Sequence, residues 1–323
     1  MIETVLGRIS PGQLGTTLMH EHLYLGDWNA RVADPQRLPV DKALEMIIPV
    51  VKNAYDAGVR TLVDVTPCNM GRDVEILKAA SEHSGMNIIA ATGIFIAEDP
   101  LIRMAPEEYL IRFLEREARE GVQGTDIRCG VIKCGTGEAG LTENNKKILR
   151  VCGAVQRLTG LPIITHCRPA NTRYGLFQQD IFEEQGADLS RVVIGHFRAG
   201  DPLDYAENVM RRGSYIAIDQ MNFNAHNLEH NLSVIPELIR RGWADRLIFS
   251  HDAVVCFNHS RWSDWDHRTY INYAPDSLSF IHRVVLPRLI EQGVDRSDLE
   301  RIMIHNPARI FSRGEENEDS GPV

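Results

Sequence analysis

Short apolar runs alternate with amphipathic segments along the whole chain. Runs rich in Val, Ile and Thr predict buried strands, because parallel strands covered on both faces are continuously apolar. The predicted strands are residues 16–19, 61–65, 87–92, 128–133, 161–166, 191–196, 215–219 and 246–250. The intervening segments have helical spacing, as in the series Leu44, Ile47, Ile48, Val51 and Tyr55. Gly58 then follows as a C-terminal stop.

The predicted strands and helices form eight strand–helix units in succession, which is the pattern of a (β/α)8 barrel. A second helix begins at Thr142 and ends near Gly160, and a third contains residues 236–241 and stops at Gly242. We therefore expect an α/β protein, a single-domain (β/α)8 TIM barrel over residues 1–312. Residues 313–323 are acidic without apolar periodicity and predict a disordered tail. The alternative, a doubly wound sheet, usually has fewer strands, and no GxGxxG follows the first strand here.

Polar side chains stand where the predicted strands end, which is the side of a barrel that carries active sites. His20 and His22 close the first strand and, being two residues apart, can face one point. A lone His-x-His pair is often surface histidine, and a lone buried histidine is more often a core residue. Several such residues at matching ends indicate a metal site: His20, His22, Lys133, His166, His196 and Asp252.

The composition and net charge of the chain indicate which classes of binding partner to expect. The chain has 323 residues, 43% hydrophobic and 24% charged, which is ordinary for a soluble globular protein. A formal net charge of -9 argues against nucleic-acid binding, which calls for a basic face. No apolar stretch approaches the roughly 18–20 residues that span a bilayer, and no secretory signal is visible, so we expect a cytoplasmic protein without a membrane partner. Six cysteines without a CxxC pair predict reduced, mostly buried thiols.

The candidate ligands and their surroundings resemble the phosphotriesterase family of the amidohydrolase superfamily. The resemblance covers nearly the whole chain and begins at the run Leu18-Met19-His20-Glu21-His22-Leu23. It continues through Val63-Asp64-Val65-Thr66, Gly71-Arg72-Asp73, Ala91-Thr92-Gly93, Gly130-Val131-Ile132-Lys133, Ile164-Thr165-His166, Ile194-Gly195-His196, Ser250-His251-Asp252 and Asn306-Pro307-Ala308-Arg309.

The resemblance implies a hydrolase with two divalent metal ions. His20, His22 and Asp252 would hold the more buried ion, and His166 and His196 the more exposed one. Lys133, N6-carboxylated, would bridge them. A hydroxide between the metals would attack a carbonyl or phosphoryl centre, and Asp252 would take its proton and pass it to the leaving group. Zinc is the first expectation, with Mn, Co or Fe as alternatives.

The chemistry of a buried lysine agrees with the role of Lys133 as a carboxylated bridge between two metal ions. A lysine on a buried strand is disfavoured as a cation, so its pKa falls and the neutral amine can capture carbon dioxide. The resulting carbamate is an anionic oxygen donor. A lysine reaching to solvent fits the apolar run around Lys133 poorly, and a Schiff-base lysine would not need four histidines.

The positions expected to contact substrate depart from the family pattern. Gln220 follows Asp219 where phosphotriesterases have histidine and related lactonases arginine, and Phe95 replaces a Tyr or Trp. Arg168 and Arg198 each follow a candidate histidine by two residues, where phosphotriesterases carry acidic residues after the second. An arginine fork suits a carboxylate, sulfonate or phosphate, so we expect an anionic small-molecule substrate. Alternatively, these arginines face solvent or pair with acidic neighbours such as Asp201 or Glu183.

The segment after the last strand is long and aromatic. Trp262 and Trp265 within it predict the wall or lid of a pocket, with a dimer interface as the alternative. The resemblance implies a homodimer.

The favoured reaction is hydrolysis of a carboxylic ester or lactone. The alternatives are an N-acyl amide hydrolase, an organophosphate triester hydrolase and, in a different class, a non-catalytic metal-containing binding protein.

Overall fold

A nine-stranded, wholly parallel sheet forms the centre of the structure. The computed structural model describes residues 1–26, 39–96, 100–137, 139–168, 173–221, 224–258 and 276–312. A hairpin of β1 (Ile2–Thr4) and β2 (Gly7–Ile9) precedes the sheet. The sheet strands are β3 (Thr17–Gly26), β4 (Thr61–Asp64), β5 (Asn87–Gly93), β6 (Val131–Thr136), β7 (Ile163–Cys167), β8 (Val192–Ile194), β9 (Tyr215–Ile218), β10 (Leu247–Phe249) and β11 (Val254–Asn258).

Helices alternate with these strands, as the sequence pattern predicts. They are α1 (Val40–Asp56), α2 (Val74–Ser84), α3 (Pro100–Met104), α4 (Glu107–Arg119), α5 (Glu143–Thr159), α6 (Tyr174–Glu184), α7 (Leu203–Arg211), α8 (Ala225–Arg240), α9 (Leu286–Glu291), α10 (Arg296–Glu300) and α11 (Asn306–Phe311). π-helical turns precede α9 and α11. The caps of α5 follow from its sequence. The Thr142 side chain accepts a hydrogen bond from the Asn145 N–H at 3.1 Å, and Gly160 ends the helix in a left-handed conformation. None of the described helices is both long and apolar enough to span a bilayer.

The strand order confirms the α/β class and gives a TIM-barrel-like sheet with flanking helices. β3 to β10 lie side by side in chain order, which excludes the doubly wound alternative, and β11 pairs with the other side of β3. The sheet therefore begins and ends with strands that only four residues, 250–253, separate in the chain. The same connection bonds to β3, since the Asp252 N–H donates to the His20 carbonyl and the His22 N–H to that of Ala253.

Alternation along the strands produces two buried apolar layers. One residue of each strand from β3 to β10 faces the helices: Leu18, Leu62, Ile88, Ile132, Ile163, Val192, Ile216 and Leu247. An adjacent residue of each strand belongs to a second cluster, which we call the inner core: Met19, Val63, Ile89, Val131, Ile164, Val193, Ala217 and Ile248. Because side chains two residues apart share a face, a polar residue two places beyond an inner-core residue faces the same interior.

Two elements differ from the predicted pattern. The first predicted strand ends at residue 19, but β3 continues to Gly26, because its second half pairs with β4 and β11 beyond a register shift between Leu18 and Glu21. β11 lies in the segment after the last predicted strand, where no further strand is predicted, although its sequence, Val254-Val255-Cys256-Phe257, is apolar and β-branched at its start. All six cysteines are free, and five are buried, as expected. Trp262, Trp265 and the tail predicted for residues 313–323 lie outside the described residues.

A buried ion pair fastens α4 to the strands beside it. Nη1 and Nη2 of Arg72 lie 3.0 and 2.5 Å from the two carboxylate oxygens of Glu117, and both side chains are almost fully buried. Thr92 Oγ1 donates to Glu117 at 2.7 Å, and Arg72 also donates to the Ala91 carbonyl. Loss of one charge would leave the other buried without its partner, which is far more costly than loss of an exposed pair.

We expect Glu117→Gln to lower the free energy of unfolding by about 3–5 kcal/mol, because it leaves the Arg72 guanidinium buried and uncompensated. Urea denaturation measures the change. The matched control is Glu115→Gln on the same helix, whose carboxylate pairs with Arg119, 55% exposed, at 2.8 Å. That pair should contribute less than about 1 kcal/mol. Equal losses in the two variants would contradict the structural role of the buried pair.

Candidate metal centre

The six predicted ligands come together on the interior side of the sheet. His20 and His22 belong to β3, Lys133 to β6 and His166 to β7, so these four lie within strands and not at their ends as predicted. His196 follows β8 by two residues, and Asp252 lies in the connection between β10 and β11. Lys133 and His166 stand two places beyond the inner-core residues of their own strands, which explains why they face inward.

One group of donor atoms surrounds Asp252. Its Oδ1 lies 3.5 Å from Nε2 of His20 and 3.5 Å from Nε2 of His22. The three side chains can thus offer two nitrogens and one oxygen to a single ion, which is a donor set that zinc and similar divalent metals accept. His22 is oriented from behind, since its Nδ1 lies 2.7 Å from the Thr66 hydroxyl. This bond turns Nε2 toward Asp252.

A second group of donor atoms consists of two nitrogens, one from His196 and one from His166. Nε2 of His196 and Nδ1 of His166 are 2.7 Å apart, which is a separation that one bound ion or one shared proton can explain. Lys133 joins the two groups, because its Nζ lies 2.6 Å from Nε2 of His20 and its charge also acts on His166. The side-chain positions therefore fit one donor group on each side of Lys133.

Burial sets the protonation of these groups in the direction that metal binding needs. Desolvation lowers the pKa of Lys133 to about 8, and desolvation together with the Lys133 charge lowers that of His20 to about 4. Desolvation, helped by His196 and Lys133, also holds the pKa of His166 well below its usual value. Neutral imidazole is the form that binds metal, so these histidines need not lose a proton at neutral pH. The donor set and its protonation thus fit a metal centre.

Asp219 is the residue that the sequence analysis did not assign to the site. Its carboxylate oxygens lie 2.8 Å from Nδ1 of His196 and 3.2 Å from Nδ1 of His20, and the side chain is fully buried. Burial alone would raise the pKa of Asp219, but the interactions with His196 and His20 outweigh it and lower the pKa. A carboxylate behind a ligating histidine fixes the ring and leaves the other nitrogen for the metal. Asp219 does this for His196 by a hydrogen bond, and its second oxygen lies within ion-pair distance of the His20 ring.

A signal for Asp219 existed in the sequence. It directly follows β9 and stands two places beyond Ala217, so it is expected to face the interior, as Lys133 and His166 do. Clusters of His20 with His22 and Asp252, and of His20 with His196 and Asp219, both have the spacing of a metal group. In the second cluster, however, Asp219 faces the Nδ1 atoms of both histidines. Their Nε2 atoms point instead to Lys133 and His166, so we assign Asp219 to orienting the rings.

Gln220 links Asp252 to Arg168. The Gln220 Nε2 donates to Oδ2 of Asp252 at 2.8 Å, and the Arg168 Nη2 donates to Oε1 of Gln220 at 3.2 Å. Asp252 thus turns Oδ1 toward the histidines and Oδ2 toward Gln220. The two predicted substrate contacts therefore lie in one hydrogen-bonded chain that ends at the predicted proton acceptor.

The other predicted contacts have different surroundings. The ring of Phe95 meets that of His166 edge-on, with 5.1 Å between their centroids. Arg198 contributes its backbone N–H to the Asp201 carboxylate at 3.0 Å, and burial raises the pKa of that carboxyl to about 6. Its guanidinium makes no ion pair with an acidic side chain in the part of the chain that the structure describes. Glu183 pairs with Arg212 instead.

Three residues of the site have left-handed backbone conformations. The φ angles are 64° for His196, 59° for Gln220 and 54° for Asp252, against a typical negative value for residues other than glycine. Such a conformation costs about 1–3 kcal/mol per residue and persists only where neighbours enforce it. For His196 it also breaks the strand alternation, which would otherwise put its side chain on the helix-facing side with Ile194. Strain at these three positions is a mark of a functional site.

Comparison with known proteins agrees with this geometry. The phosphotriesterase family matches residues 1–311. A Mycobacterium tuberculosis protein described as a phosphotriesterase homology protein is 31% identical, over 97% of this chain and 98% of its own length. The aryldialkylphosphatase of Saccharolobus solfataricus is 30% identical, over 94% of this chain and 97% of its own. The N-acetyltaurine hydrolase of Danio rerio is 28% identical, over 95% and 97%.

We expect Asp219→Asn to weaken metal binding about 10- to 100-fold, because the amide lacks the negative charge that faces both histidine rings. Competition with a chelator of known affinity measures the metal Kd. Asp204→Asn is the matched control, since that carboxylate is exposed and pairs only with Arg173 at 2.8 Å in the described residues. A Kd for Asp219→Asn equal to that of the control would remove Asp219 from the site.

Proposed function

This chain belongs to the phosphotriesterase family and is a metal-dependent hydrolase that acts on small molecules, and we propose that it cleaves an acyl bond of an anionic substrate. A carboxylic ester or lactone is the favoured class. The observation that carries the proposal is the chain from Arg168 through Gln220 to Asp252, which puts a fixed positive charge beside the predicted proton acceptor.

The proposed centre holds two divalent ions, zinc first, with Mn, Co or Fe as alternatives. His20, His22 and Asp252 would hold one ion, His166 and His196 the other, and N6-carboxylated Lys133 both. The lowered pKa of Lys133, about 8, supports carboxylation, since a larger share of the amine is neutral and nucleophilic near neutral pH. When bound, such ions lower the pKa of a water between them and polarise the substrate's oxygen.

The side chains around the centre have separate tasks in the proposal. Asp252 takes a proton on Oδ2, because Oδ1 faces His20 and His22, and passes it to the leaving group. Gln220 holds that oxygen in place through its amide N–H. Phe95, packed on His166, limits water on one side of the site.

Arg168 and Arg198 are the proposed anion contacts. A guanidinium fork suits a carboxylate, sulfonate or phosphate group, and the Arg198 guanidinium makes no ion pair among the described residues, although its charge acts on the nearby Asp201. A phosphotriester is neutral and would not use these charges. For this reason we rank an organophosphate below an acyl substrate, although one relative is named aryldialkylphosphatase.

An N-acyl amide hydrolase is the second candidate. Relatives from Danio rerio, Xenopus tropicalis and Mus musculus are named N-acetyltaurine hydrolase, a name that specifies an amide with a sulfonate group. The same two arginines would serve such a substrate, and the proton on Asp252 would go to an amine as the leaving group. The nature of the leaving group is therefore what separates the two candidates.

The proposal also covers the fold, the domain organisation and the oligomeric state of the protein. Sequential strand order and the bonds between residues 250–253 and β3 support a closed (β/α)8 barrel that occupies residues 1–312 as one domain, with residues 313–323 as a tail. We also propose a homodimer, for which the support is the family resemblance, and a cytoplasmic location, for which the support is the six free cysteines. Trp262 and Trp265 remain predicted pocket residues.

We expect the metal-reconstituted protein to release acid from anionic lactones or esters, because Arg168 is linked through Gln220 to Asp252 in the candidate metal centre. A panel of neutral and anionic lactones, esters and N-acyl amides tests this by pH-stat titration. Lys133→Ala is the control and should lose both turnover and part of its metal, with partial rescue by short-chain acids. Turnover of the amides alone would replace the favoured reaction with the second candidate, and unchanged metal content in Lys133→Ala would refute the bridging role.

We expect Arg168→Ala and Arg198→Ala to raise KM for anionic substrates about 10- to 150-fold with a smaller effect on kcat, since a hydrogen bond to a charged group contributes about 1.5–3 kcal/mol. A neutral analogue should show little change in KM. Arg173→Ala is the control, because its guanidinium pairs with Asp204 on the surface at 2.8 Å. An unchanged KM for the anionic substrate would remove the altered arginine from the site.

A further inference from the structure

Glu21 lies between the two candidate ligands of β3, but its side chain does not face the metal donors. Its carboxylate is completely buried and turns to the connection between β10 and β11. Oε1 accepts hydrogen bonds from the Ser250 hydroxyl at 2.8 Å and from the His251 N–H at 2.9 Å. Oε2 accepts from the Ala253 N–H at 3.0 Å. The two backbone donors are the residues on either side of Asp252.

The ring of His251 adds a fourth bond and fixes its own tautomer. Its Nε2 must accept, because the nearby donor is the Ile281 N–H at 3.1 Å. Nδ1 therefore carries the proton and donates to Oε1 of Glu21 at 2.9 Å. All four partners of the Glu21 carboxylate are donors, so the side chain has to be an acceptor at both oxygens. Glutamine at this position would set an NH2 group against one of these donors.

The same contacts reach the ligand group. Ser250 Oγ, which donates to Glu21, also accepts the His20 N–H at 2.8 Å, and the Asp252 N–H donates to the His20 carbonyl at 3.0 Å. Asp252 thus has its own N–H and the N–H groups of both neighbours fixed to β3. Its left-handed φ of 54° is enforced from three sides.

We infer that Glu21 is the positioning residue for Asp252: it holds residues 250–253 in the conformation that aims Oδ1 of Asp252 at His20 and His22. The inference rests on the proposed role of Asp252 in the metal centre. Glu21 touches neither metal donors nor substrate through its carboxylate, so its effect on the reaction passes through Asp252. A residue that acts in this way has no effect of its own once Asp252 has lost its carboxylate.

A double-mutant cycle tests this dependence. The variants are Glu21→Gln, Asp252→Asn and the combination of both, and the two readouts are the Kd for Zn²⁺ by chelator competition and kcat on the best substrate of the panel. We expect Glu21→Gln to weaken Zn²⁺ binding about 10- to 100-fold in the chain that retains Asp252. In the Asp252→Asn background, the same change should alter the Kd and kcat less than about twofold.

The double-mutant cycle gives a different result if Glu21 acts independently of Asp252. If Glu21→Gln lowers affinity and kcat by the same factor in both backgrounds, Glu21 acts on stability or on the histidines directly, and the inference is overturned. An unchanged Zn²⁺ affinity and kcat in Glu21→Gln overturns it as well. Glu117→Gln is the matched control, because it replaces another buried carboxylate, whose partners Arg72 and Thr92 are not among the candidate ligands. It should keep the wild-type Kd and kcat per folded molecule.

If Glu21→Gln does not fold, Ser250→Ala replaces it in the double-mutant cycle. It removes one donor to Glu21, leaves the carboxylate in place, and should show a smaller loss with the same dependence on Asp252. The proposed function has its own criterion in this set. If Asp252→Asn alone retains full kcat, the proton role of Asp252 is wrong, whereas the Zn²⁺ affinities of the four proteins still decide the role of Glu21.

Discussion

The hydrogen bonds between residues 250–253 and β3 are the constraint on which the arrangement of the sheet depends. β10 and β11 lie at opposite ends of the strand order, and only this short connection separates them in the chain. A flat sheet could not satisfy both pairings, so the sheet has to curl. Curling brings the interior faces of β3, β6 and β7 toward one point. The proximity of the candidate metal donors is therefore a consequence of how the sheet ends are joined.

Charge is balanced within that interior. Lys133 is the one buried amine among the candidate ligands, and it lies between the carboxylates of Asp219 and Asp252, which oppose the desolvation of its charge. With Nζ only 2.6 Å from Nε2 of His20, the amine and the imidazole cannot both carry a proton toward each other. The strongly lowered pKa of His20 resolves this in favour of a neutral ring. Carboxylation of Lys133 would convert the remaining positive charge into a negative one and make room for two divalent ions in place of protons.

The sequence was sufficient to predict most of this arrangement, since strand order and the side-chain period place inward-facing residues without any tertiary detail. The six candidate ligands could be named because each interrupts an apolar run. Asp219 was overlooked because it contacts two ligands from behind, and such a role depends on where neighbouring strands lie. The continuation of β3 past residue 19 was missed for a related reason. A register shift at Leu18 to Glu21 disturbs the alternation there, and pairing with β11 is a long-range contact. The Arg72–Glu117 pair likewise joins residues that only the folded chain brings together.

In the proposed function, Gln220 is the position that links the proton acceptor to substrate recognition. Its amide does not titrate, so it cannot carry a proton away from Asp252 as an imidazole at that position could. In the proposed function, the proton on Asp252 therefore has one destination, the leaving group. The same amide is held by Arg168 through its oxygen. A substrate anion that draws the Arg168 guanidinium toward itself changes the bond that orients Gln220 and, through it, Oδ2 of Asp252. Recognition of charge and the placement of the proton acceptor are thus coupled by two hydrogen bonds, and a substrate without the anion would leave that coupling unused.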